Sequence, residues 1–266
     1  MKIGFVQFAP KLGDIHTNLQ KVDDLLKNVS ADIIVLPELF ATGYLFPDRD
    51  FLKKLAEPAG NGPIYSAMKE WAEKHNFLIS GGFPEIAGDK IYNSAVAVYP
   101  DGKFVLYRKI HLFYNEKFLF EPGDIELKPF EFRGAKLGLL VCFDWIFPEV
   151  YRILMLEGTQ IILHSSNLVL PYCQMASFAR AIENRMFIIV ANRTGTESND
   201  GITLNFTGGS IIYSPTGEVL VQASETEDAV EIVEIDPADA LDKNITEQNN
   251  LITDRRPEFY RKLCEK

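Results

Sequence analysis

Short runs of apolar residues that alternate with helical patterns constrain this chain more than any other feature. The spacing of Leu19, Val22, Leu25 and Leu26 predicts a helix over residues 18–28, after a first strand at residues 3–8. Residues 31–37 form a continuous apolar run that reads as a strand buried on both faces, and residues 136–142 read as another buried strand. Two further strands are expected at residues 160–164 and 187–191. Strands of this kind are typical of sheets that helices cover.

The remaining segments predict a mixed sheet. Turn residues separate two pairs of short strands, residues 92–99 from 103–108 and residues 209–213 from 218–223, which predicts two hairpins. Further helices are expected at residues 64–75, 148–158 and 176–186, and a strand at 77–81. No linker, repeat or low-complexity segment interrupts the pattern. We therefore expect one α/β domain over residues 1–266, with a polar C-terminal arm from about residue 250.

The charge and the cysteine content disfavour several partners and fold types. The formal net charge is −10 at pH 7, which argues against nucleic acid and anionic membrane surfaces. No apolar run approaches the roughly 18 residues that span a bilayer, and the N-terminus lacks a signal-peptide pattern. Three cysteines, an odd number, do not make a disulfide framework. The expected location is the reducing cytoplasm, where each thiol is free.

Cys142 lies where a predicted buried strand meets a helix. Sites in open α/β sheets gather at the carboxyl ends of strands, and a helix N-terminus facing the sulfur would favour the thiolate. The alternative is a buried structural cysteine, because cysteine is among the most buried residue types. Cys173 and Cys264 keep that structural interpretation, since neither lies at a junction between a strand and a helix.

Two charged residues also follow predicted strands. Glu38 comes directly after the apolar run that ends at Pro37. A carboxylate at the rim of a core is partly desolvated, which raises its pKa toward the range of a general base. Lys109 follows the strand at residues 103–108, and an inward ammonium would stabilise a developing oxyanion. Glu116 comes seven residues later. Taken singly, such residues are more often exposed.

Together these residues lie in segments that resemble the nitrilase (carbon–nitrogen hydrolase) superfamily. Three segments appear in the family's order: Val-Leu-Pro-Glu-Leu at 35–39, Tyr-Arg-Lys-Ile-His-Leu at 107–112, and Val-Cys-Phe-Asp-Trp-Ile-Phe-Pro-Glu at 141–149. Further likeness lies at residues 93–95, 121–124, 166–167, 180–185, 208–210 and 214–217. The resemblance extends from the first strand to about Ile235, and three such segments in fixed order are a specific signal.

The resemblance implies a four-layer α-β-β-α sandwich that pairs through a helical face into a homodimer or a higher homo-oligomer. It implies that Cys142 is the nucleophile and Glu38 the general base. Lys109 would stabilise the tetrahedral intermediate, and Glu116 would orient substrate and proton transfers. The backbone N–H of Phe143 is expected to donate to the oxyanion. The implied chemistry needs neither a metal nor an organic cofactor.

The sequence indicates that a carbon–nitrogen bond is cleaved more clearly than it indicates the substrate. Phe143-Asp144-Trp145 resembles amidase-like members, which favours a small aliphatic amide cleaved through a thioester. The same segment and residues 167–172 also resemble an archaeal-type group that hydrolyses aliphatic nitriles, so a nitrile is the alternative. Five residues are expected at the pocket besides Phe143: Phe113, Phe118, Trp145, Asn167 and Tyr172.

Other classes of function find less support. The four histidines are scattered, without a close pair of metal ligands, and no P-loop or serine-hydrolase elbow appears. His111 is expected to pack or to form a hydrogen bond behind Lys109. A catalytically silent binding protein on the same fold is the second alternative. A glutamine-hydrolysing module would need a separate synthetase as its partner.

Overall fold

Two six-stranded sheets form the centre of the molecule. The computed structural model describes residues 1–265. The first sheet contains β1 (Lys2–Gln7), β2 (Ile33–Val35), β3 (Leu78–Ala87), β4 (Lys90–Val98), β5 (Phe104–Arg108) and, from the end of the chain, β14 (Ala229–Glu234). The second contains β6 (Phe130–Phe132), β7 (Ala135–Val141), β8 (Ile161–Ser165), β9 (Phe187–Ala191), β12 (Ile211–Tyr213) and β13 (Val219–Gln222). A separate hairpin pairs β10 (Thr196–Asn199) with β11 (Ile202–Asn205).

Each sheet has a parallel centre and antiparallel edges. The order of the first is β14-β1-β2-β3-β4-β5, and that of the second is β13-β12-β9-β8-β7-β6. Strands β1, β2 and β3 run parallel, as do β7, β8 and β9, while the outer strands pair antiparallel. The carboxyl ends of the parallel strands therefore meet at one edge of each sheet.

Helices cover the outer face of each sheet. The α-helices are α1 (Ile15–Leu26), α2 (Arg49–Leu55), α3 (Pro63–His75), α4 (Glu116–Leu119), α5 (Pro148–Leu156) and α6 (Cys173–Asn184). Helices α1 and α3 pack on the first sheet, and α6 packs on the second beside α5. The sheets face each other, with β1 against β9 and β4 against β7. This arrangement confirms the expected α-β-β-α sandwich.

The alternation of side chains along β2 shows how the layers form. Ile33 and Val35 point into the core between the two sheets, whereas Ile34 packs against the helices that cover the first sheet. All three side chains are fully buried. A strand that is apolar on both faces therefore separates two cores, which explains the continuous apolar run in the sequence.

Several elements depart from the sequence-based expectation. Helix α6 begins three residues before the predicted start at residue 176, and β3 continues well past residue 81. Helix α2, the hairpin of β10 and β11, and strand β14 were not expected. The C-terminal arm forms two short 3-10 turns, Pro257–Phe259 and Arg261–Cys264, and is largely exposed. No helix among residues 1–265 is long and apolar enough to cross a membrane.

Candidate active site

The residues singled out in the sequence lie at the carboxyl ends of strands from both sheets. Glu38 follows β2, Lys109 follows β5 and Cys142 follows β7. Two hydrogen bonds join the sheets at this edge: Ser165 Oγ donates to the Leu36 carbonyl at 2.8 Å, and the Glu38 N–H donates to the Ser166 carbonyl at 3.4 Å. The two sheets therefore bring side chains that are distant in the sequence to one place.

A lysine between two carboxylates forms the charged centre of the site. Lys109 Nζ lies 2.7 Å from Glu38 Oε1 and 2.8 Å from Glu116 Oε1. Asn93 Nδ2 also donates to Glu38 Oε1, at 2.6 Å. Glu38 and Lys109 are fully buried, and Glu116, the first residue of α4, is buried as well. Among the described residues, nothing donates a hydrogen bond to Glu38 Oε2, so this oxygen is free to accept a proton.

Burial and charge set the protonation states of this cluster. Burial raises the pKa of Glu38; the Lys109 ammonium lowers it and the Glu116 carboxylate raises it further. Burial acts to lower the pKa of Lys109, but the charges of Glu116 and Glu38 outweigh it, so the pKa of Lys109 is raised. Lys109 therefore stays positively charged beside Glu38, whose carboxylate has an increased affinity for a proton.

Cys142 occupies a strained position next to this cluster. Its φ is +42°, in the left-handed region that non-glycine residues rarely adopt, and it is the first residue of a 3-10 helix, Cys142–Ile146. Its thiol lies 3.7 Å from the Asn167 carbonyl oxygen. Such a turn points the Cys142 side chain away from strand β7 and into the space between the loops of the two sheets.

The sequence suggested that a helix N-terminus would favour the thiolate of Cys142, but burial has the larger effect on the thiol. Burial raises the pKa of the Cys142 thiol well above its ordinary value, and the charge of Glu38 raises it further, while Lys109 lowers it. The regular helix α5 begins only at Pro148, so its dipole does not offset the desolvation. Burial therefore favours the protonated form of the Cys142 thiol.

Asp144 holds the turn that carries Cys142. Its carboxylate accepts hydrogen bonds from the Val141 N–H at 3.0 Å and from the Tyr107 hydroxyl at 2.7 Å. It also lies 2.8 Å from Nδ1 of His111, whose ring stacks on Phe147. His111 thus forms a hydrogen bond near Lys109, as expected from the sequence. These contacts tie the Cys142 turn to the strand end that carries Lys109.

A buried histidine, His164, also contacts the turn that carries Cys142. His164 Nε2 lies 3.0 Å from the Cys142 carbonyl oxygen, and Nδ1 lies 3.1 Å from the Tyr151 hydroxyl. Burial lowers the pKa of His164 to about 4, so the ring is neutral near pH 7. A neutral ring has one N–H to donate, and the Cys142 carbonyl accepts it when Nε2 carries the proton.

A narrow pocket opens beside the thiol. Its walls include Cys142 and seven neighbours: Phe113, Phe143, Trp145, Asn167, Leu168, Val169 and Leu170. The open space beside the thiol is small. The side-chain amide of Asn167 is buried, and neither its nitrogen nor its oxygen has a partner among residues 1–265. Asn167 therefore offers one donor group and one acceptor to a bound molecule.

The predicted wall residues divide into two sets. Phe113, Trp145 and Asn167 line the pocket, and so does Phe143. Phe118 and Tyr172 do not: their side chains are 80% and 52% exposed. Phe118 lies on the short helix α4, and Tyr172 precedes α6 with its ring 6.5 Å from that of Trp145, outside the pocket wall.

Two further predictions concern Cys173 and metal binding. Cys173, at the start of α6, lies 3.9 Å from Ser177 Oγ and does not line the pocket, and burial raises its pKa to about 12. Within residues 1–265 no group of three or more His, Cys, Asp or Glu side chains is placed to hold a metal ion.

The sequence did not indicate every residue that contacts the cluster. The Tyr44 hydroxyl donates to Glu116 Oε1 at 2.7 Å, and Tyr44 lies in a loop with no periodic pattern. Asn93 was noticed only as part of a family-like segment, without a role. Both residues reach the site through the packing of distant loops and strands, which no local pattern reveals.

Comparison with known proteins identifies the family of the chain. Residues 2–242 match the family model described as "Carbon-nitrogen hydrolase". A protein named nitrilase from Pyrococcus abyssi is 42% identical over 263 residues, covering 98% of this chain and 99% of its own. An (R)-stereoselective amidase from Pseudomonas is 33% identical, covering 89% and 85% respectively. A carbon-nitrogen hydrolase structure from Helicobacter pylori superposes with a TM-score of 0.85 at 25% identity, covering 100% of this chain and 99% of that one. With its sandwich fold and with a cysteine, a lysine and two glutamates gathered at one edge, this chain belongs to the carbon–nitrogen hydrolase family.

Proposed function

We propose that the protein hydrolyses a small aliphatic amide to a carboxylic acid and ammonia, with Cys142 as the nucleophile. One observation carries the proposal: the Cys142 thiol opens into a small pocket beside a buried lysine that two carboxylates hold in place. This is the set of groups that acyl transfer from nitrogen requires, namely a nucleophile, a base and an oxyanion stabiliser.

The first half of the proposed reaction forms a thioester. Glu38 accepts the thiol proton of Cys142 as the sulfur attacks the amide carbon. The negative charge that develops on the substrate oxygen is stabilised by the Lys109 ammonium and by the backbone N–H of Phe143. The carbon–nitrogen bond then breaks, Glu38 returns the proton to the nitrogen, and ammonia leaves. Glu116 keeps Lys109 in position throughout.

The second half releases the acid. Glu38, again ionised, accepts a proton from a water molecule whose oxygen attacks the thioester carbon. The same lysine and backbone N–H stabilise the second tetrahedral intermediate. When this intermediate collapses, the carbon–sulfur bond breaks and Glu38 protonates the departing sulfur. The resting thiol of Cys142 is restored, in agreement with the burial that favours its protonated form.

The free amide of Asn167 supports an amide substrate over a nitrile. A primary amide both donates and accepts hydrogen bonds, so it matches the unpaired nitrogen and oxygen of Asn167. A nitrile nitrogen only accepts, and binding it would leave Asn167 Oδ1 without a donor. The small volume of the pocket favours a short substrate in either case.

An aliphatic nitrile is the second candidate, because the relative that is 42% identical is named a nitrilase. The test is ammonia release from matched amide and nitrile pairs with the same carbon skeleton. We expect faster release from the amide of each pair, no release by the Cys142→Ala variant, and full activity in the matched Cys173→Ala control.

Other results would point elsewhere. Faster release from the nitriles would favour the second candidate. Undiminished activity in Cys142→Ala would contradict the mechanism. No release from any pair, with the thiol intact, would favour a silent binding protein. Mass spectrometry of the trapped thioester provides independent evidence, and an adduct on Cys173 would overturn the assignment of the nucleophile.

The setting of this activity is also a proposal. We infer a cytoplasmic enzyme that acts as a single domain and pairs with a second copy of itself. The three cysteines are free thiols, in keeping with a reducing compartment. Of these, Cys264 is exposed, as are the apolar side chains of Phe259 and Leu263 in the C-terminal arm.

A further inference from the structure

A buried hydroxyl from the loop between β2 and α2 contacts the charged cluster. The Tyr44 phenol donates a 2.7 Å hydrogen bond to Oε1 of Glu116. The same oxygen accepts a 2.8 Å hydrogen bond from Lys109 Nζ. The other oxygen of Glu116 accepts from the Phe113 N–H at 3.2 Å. Because donors engage both oxygens, the carboxylate plane has one preferred orientation.

A second buried carboxylate holds the backbone of Tyr44. Glu197 Oε2 accepts hydrogen bonds from the N–H groups of Tyr44, at 3.0 Å, and Leu45, at 2.8 Å. Arg193 forms an ion pair with Glu197 Oε1, and its guanidinium lies 3.9 Å from the centre of the Phe206 ring. Arg193 and Glu197 are 1% and 6% exposed. A chain of buried polar contacts thus extends from Arg193 to Lys109.

The loop before Tyr44 has room for the Glu197 carboxylate because residue 43 is a glycine. Gly43 has a φ of +76°, and a Cβ at this position would lie 2.9 Å from Glu197 Oε1 and 2.7 Å from the Leu12 backbone. Buried ion pairs gain little stability over apolar packing, because both charges must lose their water. The contacts of Glu197 with two consecutive N–H groups therefore suit the placement of a loop better than the stabilisation of a core.

We propose that Tyr44, held by the Arg193–Glu197 pair, is a positioning residue for hydrolysis at Cys142. It fixes the Glu116 carboxylate, and Glu116 in turn keeps the Lys109 ammonium directed at the oxygen of the reacting carbonyl. This inference rests on the proposed function. Without the phenol, Glu116 Oε1 keeps one donor of two, and the carboxylate and the lysine gain freedom to move. The loss falls on the transition state, where the oxyanion needs the ammonium, more than on substrate binding.

The first test is Tyr44→Phe, which removes one oxygen atom and keeps the ring. We expect kcat on the best amide to fall about ten- to a hundred-fold, the range for one hydrogen bond to a charged group, with KM nearly unchanged. Tyr65→Phe is the matched control, since its hydroxyl bonds the Gly102 carbonyl, away from the cluster, and should leave kcat unchanged.

A double variant separates positioning from a general structural effect. If Tyr44 acts through Glu116, then Tyr44→Phe combined with Glu116→Gln should be no slower than Glu116→Gln alone. If the two losses multiply, Tyr44 acts by another route and the inference is overturned. An unchanged kcat in Tyr44→Phe would overturn it too, and the proposed function would still stand on the loss of activity in Cys142→Ala.

A further readout does not depend on the natural substrate. The rate at which iodoacetamide alkylates Cys142 depends on the base and the ammonium beside it. We expect Tyr44→Phe to slow alkylation of Cys142 and to leave that of the exposed Cys264 unchanged. If the unmodified protein released no ammonia from any amide or nitrile, the proposed function would fail. Equal alkylation of Cys142 in both proteins would then reject the role of Tyr44 separately.

Discussion

At the scale of single residues, the site depends on one buried cation shared by two buried carboxylates. Lys109 neutralises part of the charge of Glu38 and Glu116, and all three have little or no contact with solvent. The pKa of Glu38 is raised in the folded protein, so folding costs free energy when Glu38 is ionised. This cost is present above the folded pKa and is relieved as the pH falls through it.

Opposite stability changes follow for two substitutions in this cluster. Glu38→Gln leaves one cation and one carboxylate, so we expect an inactive protein whose melting temperature near pH 7 is equal to or higher than that of the unmodified chain. Lys109→Met leaves two buried carboxylates without a cation, and we expect a loss of about 3–5 kcal/mol in the free energy of unfolding. Thermal and denaturant unfolding measure both. A Glu38→Gln variant as unstable as Lys109→Met would contradict this account.

The sequence identified Glu38, Lys109, Glu116 and Cys142 because each lies in a segment that resembles a known family. It did not identify Tyr44, which contacts Glu116 across 72 positions of the chain. It also suggested that a helix N-terminus would favour the thiolate at Cys142, whereas burial raises the pKa of the thiol and favours its protonated form. Local patterns show which element carries a residue. Desolvation and long-range contacts appear only when the loops pack together.

At the scale of elements, the strands that carry the site and the two hairpins, β4 with β5 and β12 with β13, were predicted, whereas β14 and the hairpin of β10 and β11 were not. The parallel strands are apolar throughout, so their sequences stand out. Strand β14 is only half-buried and pairs with β1 across the whole chain, so it lacks such a run. The hairpin of β10 and β11 turns at Asp200 and Gly201, both with positive φ, and Asp-Gly is a recognised signal for such a turn.

The Arg193–Glu197 ion pair joins the connection after β9 to strand β10, and its contribution to the free energy of unfolding can be measured. Glu197→Ala would leave a buried guanidinium without its carboxylate and two backbone N–H groups without an acceptor. We expect a loss of about 3–5 kcal/mol in the free energy of unfolding. Replacing both Arg193 and Glu197 with Met should recover part of it in denaturant unfolding. A double variant less stable than Glu197→Ala would show that the pair stabilises the fold in its own right.

At the scale of the whole molecule, the outer face of the second sheet has an apolar surface that the first lacks. Helices α5 and α6 pack side by side, and each carries two large apolar side chains that are at least 40% exposed: Ile153, Leu156, Met175 and Phe178. Apolar patches of this kind mark contact surfaces. The family resemblance implied pairing through a helical face, and we propose that pairing uses this one.

A charge on this surface should therefore separate the two copies. We expect the unmodified chain to sediment as a dimer or larger, and Met175→Glu to shift it toward the monomer with its fold intact. Glu70→Lys on α3, which covers the first sheet, is the control and should not change the sedimentation. A monomeric unmodified chain would contradict the proposed pairing.

The burial of the Cys142 thiol affects how readily peroxides oxidise its sulfur. Peroxides attack thiolates that solvent reaches, and each step toward the sulfinic and sulfonic acids makes recovery harder. Because burial favours the protonated thiol and the pocket beside it is narrow, we expect Cys142 to resist this damage while the pocket is empty. Under the proposed mechanism the sulfur loses its proton only as it attacks a substrate, and a substrate in the pocket leaves no room for the oxidant.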